Sequence, residues 1–94
     1  MPGWHLYMIR CGDGSLYTGI AVNVARRFAD HQTDKGAKYL RGRGPLELVF
    51  EKRIGNRSLA LKIERQVKKL SRHKKMRLIE TGAGLDQLML SVSG

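Results

Sequence analysis

Two short apolar segments on either side of a glycine turn constrain this chain more than any other feature. Trp4–Arg10 reads WHLYMIR and Ser15–Ile20 reads SLYTGI, both rich in β-favouring and aromatic types, with CGDG (Cys11–Gly14) between them. Segments of this length with that connector make a β-hairpin. A three-residue loop at Gly12–Gly14, with one glycine left-handed, sets Cys11 opposite Ser15. Ile9 then faces Tyr17, and Tyr7 faces Gly19. Directly opposed residues share a sheet face, so Tyr7 and Tyr17 lie diagonally on one side. A slip of one residue would part them.

The rest of the chain reads as helices around one more strand. Asn23 is a fitting N-cap for a helix over Val24–Gln32, with Val24 and Phe28 as its buried stripe. Arg27 and His31, four apart, are neighbours on one flank of that stripe, whereas Arg26 points to solvent. Lys35–Pro45 (KGAKYLRGRGP) mixes glycine and proline breakers with cations and one tyrosine, and reads as a basic loop. Leu46–Lys52 reads as a third strand with Leu46, Leu48 and Phe50 on one face. Asn56 or Ser58 then caps a second helix, whose stripe is Leu59, Ile63, Val67 and Leu70. Ser71 caps a further short helix through Ile79. The tail over 81–94 reads either as a packed strand or as a partner-binding segment. The order β-β-α-β-α-α gives an α+β domain: a small three-stranded antiparallel sheet flanked by helices over residues 1–80, followed by that tail.

Charge decides the class of partner. The 94 residues carry a formal net charge of +10, with a pI near 10.4, far more than solubility needs. A polyanion is the expected partner, a nucleic acid or, in competition, a membrane surface. No apolar run approaches a membrane span and no signal peptide is expected, so no membrane is assigned. The single cysteine, Cys11, suits a reducing cytoplasm. His5, His31 and His73 have no zinc-ligand spacing with it. Within Lys52–Arg77 eleven Lys or Arg stand against one acid, Glu64, placed beside the buried stripe of its helix. That carboxylate is either half of an i,i+4 ion pair with Lys68 or a ligand for a cation.

HLY (His5–Tyr7) and YTG (Tyr17–Gly19), nine residues apart and followed by RRFADH, resemble the GIY-YIG endonuclease superfamily. DKGAKYLRGRGPLELV and the helix bearing Glu64 and KKLSR resemble its small stand-alone YhbQ-like branch, so the likeness covers roughly residues 4–80. The resemblance implies phosphodiester hydrolysis with one divalent ion, Mg2+ or Mn2+. By position it implies Glu64 as metal ligand and Tyr7 and Tyr17 as active-site phenols. Arg27 takes the place of the transition-state arginine, with His31 its neighbour, and Gly19 leaves room for a close approach. His5, Leu6 and Thr18 depart from the tripeptides. The asparagine that many members carry after the metal helix has no counterpart in KKLSRHKKMR.

The residues fit that chemistry on their own terms. A magnesium-class ion takes oxygen ligands and often only one or two carboxylates, the rest being water and phosphate. One Glu therefore suits a one-metal site, bound weakly without substrate. Arginine forks two donors onto phosphate oxygens as lysine does not. A tyrosine near its ordinary pKa of about 10 is a poor base at neutral pH, and Arg27, metal and the basic field are expected to lower it. Backbone contacts are assigned to Lys35, Lys38, Tyr39, Arg41 and Arg43 of the loop and to Lys68, Lys69 and Arg72 after the Glu64 helix. The competing reading is a binding module for DNA or RNA on the same scaffold, weak or inactive in cleavage. One site per chain implies a monomer or a weak homodimer.

Overall fold

A computed structural model describes residues 3–33 and 35–93. Strands β1 (Trp4–Arg10) and β2 (Leu16–Ala21) form the expected hairpin. Cys11 N–H donates to the Ser15 carbonyl at 2.9 Å, and Gly14 adopts φ 85° in the turn. Ile9 pairs with Tyr17 and Tyr7 with Gly19, the register read from the loop length. Helix α1 (Val24–Gln32) follows, with the Asn23 side chain accepting from Arg26 N–H at 3.1 Å. A single 3-10 turn, Lys38–Leu40, interrupts the basic loop. Strand β3 (Glu47–Gly55) then adds to the other side of β1, giving an antiparallel sheet in the order β2-β1-β3.

The third strand corrects one expectation. Met8 pairs with Phe50 but Ile9 with Leu48, so Val49 is an extra residue in β3. A bulge of this kind breaks the two-residue alternation. Leu46 and Leu48 pack beside Tyr7 and Ile9, whereas Val49 and Phe50 pack with Leu6 and Met8 on the opposite face. Leu46, Leu48 and Phe50 therefore do not share a face. A period-2 reading cannot see an inserted residue when the neighbours on both faces are apolar.

Both faces of β1 are buried, each under different elements. Leu6 and Met8 face α2 (Arg57–Lys68), α3 (Arg72–Thr81) and α4 (Leu85–Ser93). Asn56, rather than Ser58, caps α2, accepting from Leu59 N–H at 2.8 Å. Ile63 and Val67 are fully buried, each contributing about 1.5–3 kcal/mol in transfer terms. Ser71 caps α3, and Gly82 ends it in the left-handed conformation at φ 74°. The last segment is a packed helix rather than a packed strand: Leu85 is buried, and Leu88, Met89 and Val92 pack on the same core. No helix of the described residues is long and apolar enough to cross a membrane.

The other face of β1 carries Tyr7 and Ile9, which pack with Cys11, Ala21, Val24 and Leu40. There α1 and the basic loop form the cover. Strand β2 is an edge strand in contact with α1 on one side and α2 on the other.

Candidate active site

The hairpin register and the α1 periodicity together deliver four side chains to one cluster. Tyr7 and Tyr17 lie diagonally on the α1 face, with ring centroids 6.3 Å apart. His31 projects from the last turn of α1 into that pair, 6.0 Å from the Tyr7 ring and 5.5 Å, edge-on, from Tyr17. Its Nε2 is 2.9 Å from the Tyr7 hydroxyl. Arg27, one turn earlier on α1, is half-buried and close enough for its charge to act on the Tyr7 phenol. Arg26 is exposed, as its place on the helix requires.

Backbone geometry determines the histidine tautomer. Ala37 N–H donates to His31 Nδ1 at 3.1 Å, so Nδ1 carries no proton in the neutral ring. The proton is assigned to Nε2 and is donated to Tyr7 Oη. Burial, and then the nearby Arg27 cation, push His31 below its ordinary value, with Asp30 opposing them weakly. Burial pushes Tyr7 well above the ordinary tyrosine value, and the neighbouring Tyr17 adds to this. Arg27 lowers it by hydrogen bond and charge, but the first two outweigh it. Arg27 thus lowers the phenol as expected, but the net shift of Tyr7 is upward. Tyr7 as a residue is only 1% exposed, and one guanidinium does not compensate for the solvent its phenol lacks.

The His31 shift has a consequence for stability. Its unfolded value is near 6.5 and its folded value lies lower, so in that window the unfolded chain binds a proton that the folded chain does not. Stability therefore rises with pH there; it is fully present above about 6.5 and is lost as pH falls toward the folded value. The thermal midpoint is expected to drop between pH 7.5 and pH 5, and His31→Gln to flatten that drop. Asp13, held low by its bonds to Ser15, titrates beneath this window. A midpoint in the wild type that is level across the range would contradict a buried neutral His31.

Two glycines make the cluster sterically feasible. A Cβ on Gly19 would lie 2.6 Å from Tyr7 Oη, so the missing side chain houses the phenol. The resemblance implies a close approach of substrate or backbone at Gly19, and here the Tyr7 phenol takes up that space. A Cβ on Gly36 would collide with His31 Nδ1, which ties the start of the basic loop to the histidine. Gly36 and Ala37 were missed from sequence. Gly36 is one of several breakers in that loop, and no local pattern distinguishes it.

The remaining candidates are placed differently. Glu64 is not in the tyrosine cluster. It sits on α2, on the opposite face of the sheet, with its side chain 18% exposed and its Oε2 3.5 Å from Lys68 Nζ. Lys35, Lys38, Tyr39 and Arg41 are exposed on the loop that covers the cluster. Arg43 is half-buried and pairs with Asp13 at 2.7 Å. Lys68, Lys69 and Arg72 are exposed at the α2–α3 turn. Among the described residues no three His, Cys, Asp or Glu side chains gather as a metal site. The donor set fits an ion held by one carboxylate, water and phosphate, and not one caged by protein.

The GIY-YIG catalytic domain model matches residues 3–77. The UPF0213 protein YhbQ of Escherichia coli is 51% identical over 92 residues, covering 98% of this chain and 92% of its own. A UPF0213 protein of Citrobacter koseri is 49% identical over the same length and shares. Among solved structures, the solution structure of the UPF0213 protein BH0048 from Bacillus halodurans is similar at 40% identity and a TM-score of 0.56, covering 97% of each chain. The E. faecalis protein EF2693 is similar at 32% identity and a TM-score of 0.61, covering 86% of each.

Proposed function

Because the chain belongs to the GIY-YIG catalytic-domain family, of nuclease type, we propose that it is a metal-dependent endonuclease hydrolysing phosphodiester bonds of DNA. The observation that carries the reading is the buried Tyr7–His31 hydrogen bond with the Tyr17 ring packed against both and the Arg27 charge beside them. Cores bury tyrosines readily, but a buried phenol bonded to a buried imidazole, with a second phenol against both, is more polar chemistry than packing needs.

In this mechanism Arg27 forks onto the scissile phosphate and stabilises the charge that builds on its oxygens. Tyr7, protonated at every physiological pH, acts as a donor that orients its neighbour rather than as a base. Tyr17, half-buried and nearer solvent, is the phenol that meets the attacking water. His31 holds Tyr7 in place through Nε2. Glu64 would hold the metal, which when bound supplies charge stabilisation to the phosphoryl oxygens. Lys35, Lys38 and Arg41 on one side and Lys68, Lys69 and Arg72 on the other bind backbone phosphates without reading bases. One site cuts one strand per encounter, which fits repair or recombination on structured or damaged DNA by a monomer or weak homodimer.

The test is nicking of supercoiled plasmid by the purified chain with Mg2+ or Mn2+. Nicked circles are expected with either ion, and removal of the ion by EDTA is expected to stop their formation. Tyr17→Phe should slow nicking by about 10²–10⁴. Binding without any nicking under both ions would favour the binding module instead. RNA duplex cut faster than DNA would reassign the substrate.

A further inference from the structure

A second group of side chains joins the hairpin turn to the basic loop. Asp13 Oδ1 accepts from Ser15 N–H at 3.0 Å and from Ser15 Oγ at 2.6 Å. This leaves Oδ2 aimed at Arg43, whose Nη1 lies 2.7 Å away. The backbones meet as well: Gly12 N–H donates to the Arg43 carbonyl at 2.6 Å. A Cβ on Gly12 would sit 2.5 Å from the Gly44 carbonyl oxygen, so only glycine permits this approach.

The contacts continue from there to the proposed catalytic phenol. The Arg43 guanidinium lies over the Tyr39 ring, 4.2 Å from its centroid. Tyr39 stacks on Tyr17 with centroids 5.9 Å apart and planes inclined by 29°. Tyr17 in turn meets His31 edge-on. Tyr39 is 45% exposed on a loop, and an aromatic ring so placed has little of its own burial to hold it against Tyr17. A cation on its ring, itself oriented by a carboxylate with both oxygens engaged, supplies the missing constraint.

We infer that Asp13 is a positioning residue for Tyr17, acting through Arg43 and Tyr39. The statement rests on the nuclease reading for its effect on rate, but its effect on Tyr17 is independent of that reading. It also reassigns Arg43. A guanidinium already paired with Asp13 and laid on Tyr39 is committed to the loop, while Arg41 remains exposed for phosphate.

The experiment compares Asp13→Asn, Asp13→Glu, Arg43→Lys and wild type in three measurements on the full chain. In the first, aromatic NMR of Tyr17 is expected to shift in Asp13→Asn and to return toward wild type in Asp13→Glu. Arg43→Lys keeps the ion pair but loses the planar face over Tyr39, and so should also shift Tyr17. In the second, Asp13→Asn should lower kcat for plasmid nicking about tenfold with KM changed less than about twofold. In the third, Arg41→Ala should reduce the slope of log binding constant against log salt by about 0.9, whereas Arg43→Ala leaves it nearly unchanged. Tyr17 resonances that stay in place in both Asp13→Asn and Arg43→Lys would overturn the inference. An Arg43→Ala slope change as large as that of Arg41→Ala would do the same. If the wild type cuts nothing, the nuclease reading fails while the NMR and salt measurements still decide the role of Asp13.

Discussion

Glu64→Ala is expected to lower plasmid nicking to about a thousandth of the wild-type rate or below, with the thermal midpoint almost unmoved. The two readings of this residue make opposite demands on those measurements. As half of an exposed i,i+4 pair with Lys68, at 3.5 Å, it is worth roughly 0.3–0.5 kcal/mol. Its removal would then cost a degree or two in midpoint and nothing in rate. As the protein's ligand for the ion, it accounts for about 4 kcal/mol of transition-state stabilisation, a factor of roughly 10³. DNA affinity should hold or rise slightly, since a negative charge leaves a basic surface. Undiminished nicking by the variant would sink the assignment. A fall of many degrees in midpoint would point to a folding role instead.

The second large effect belongs to Arg27, and it reads out twice. Arg27→Ala should slow nicking about 10²–10³-fold, the usual loss when one preorganised donor to developing charge is removed. Its guanidinium also lowers His31 through charge and Tyr7 through hydrogen bond and charge. Its loss should therefore raise the His31 pKa back toward its ordinary value, visible in an NMR titration of the imidazole, without any need for substrate. Arg27→Lys should keep much of the charge effect on His31 yet recover little of the rate, because an ammonium cannot fork onto two oxygens. If rate and His31 titration were both indifferent to Arg27→Ala, the residue would be no more than a solvated helix side chain.

Much of this site is legible in the sequence because its geometry is local. The Tyr7–Tyr17 diagonal follows from a three-residue loop, and the Arg27–His31 step follows from the pitch of α1. Each needs only the period of one element and a turn length. Contacts across longer separations left no trace of that kind. Asp13 and Arg43 are 30 residues apart, and neither an Asp in a turn nor an Arg among loop cations identifies the other as its partner. The Val49 bulge is hidden for a related reason: valine suits either face, so no polarity marks where the alternation fails. Glu64 lies between these cases. Its place beside the α2 stripe was readable, but its position across the sheet from the tyrosines depends on which face α2 covers, and that is a property of the assembled fold. The sequence displays the lowering effect of Arg27 on Tyr7, whereas the depth beneath α1 and the loop that outweighs it appears only after folding.

The edge strand β2, held between α1 and α2, gives the proposed mechanism a built-in ruler. The tyrosine cluster lies on one face of it and α2, which carries Glu64, packs on the other, so a phosphate reached from both must lie at the open edge of β2. The gap between the backbones that carry the two halves is then set by helices packed on two faces of one sheet, and the side chains bridge it. Side chains on either side can drift in sequence without altering that gap, whereas a slip of one residue in the β1–β2 hairpin would turn Tyr17 to the side of Glu64 and leave Arg27 facing Thr18 or Leu16.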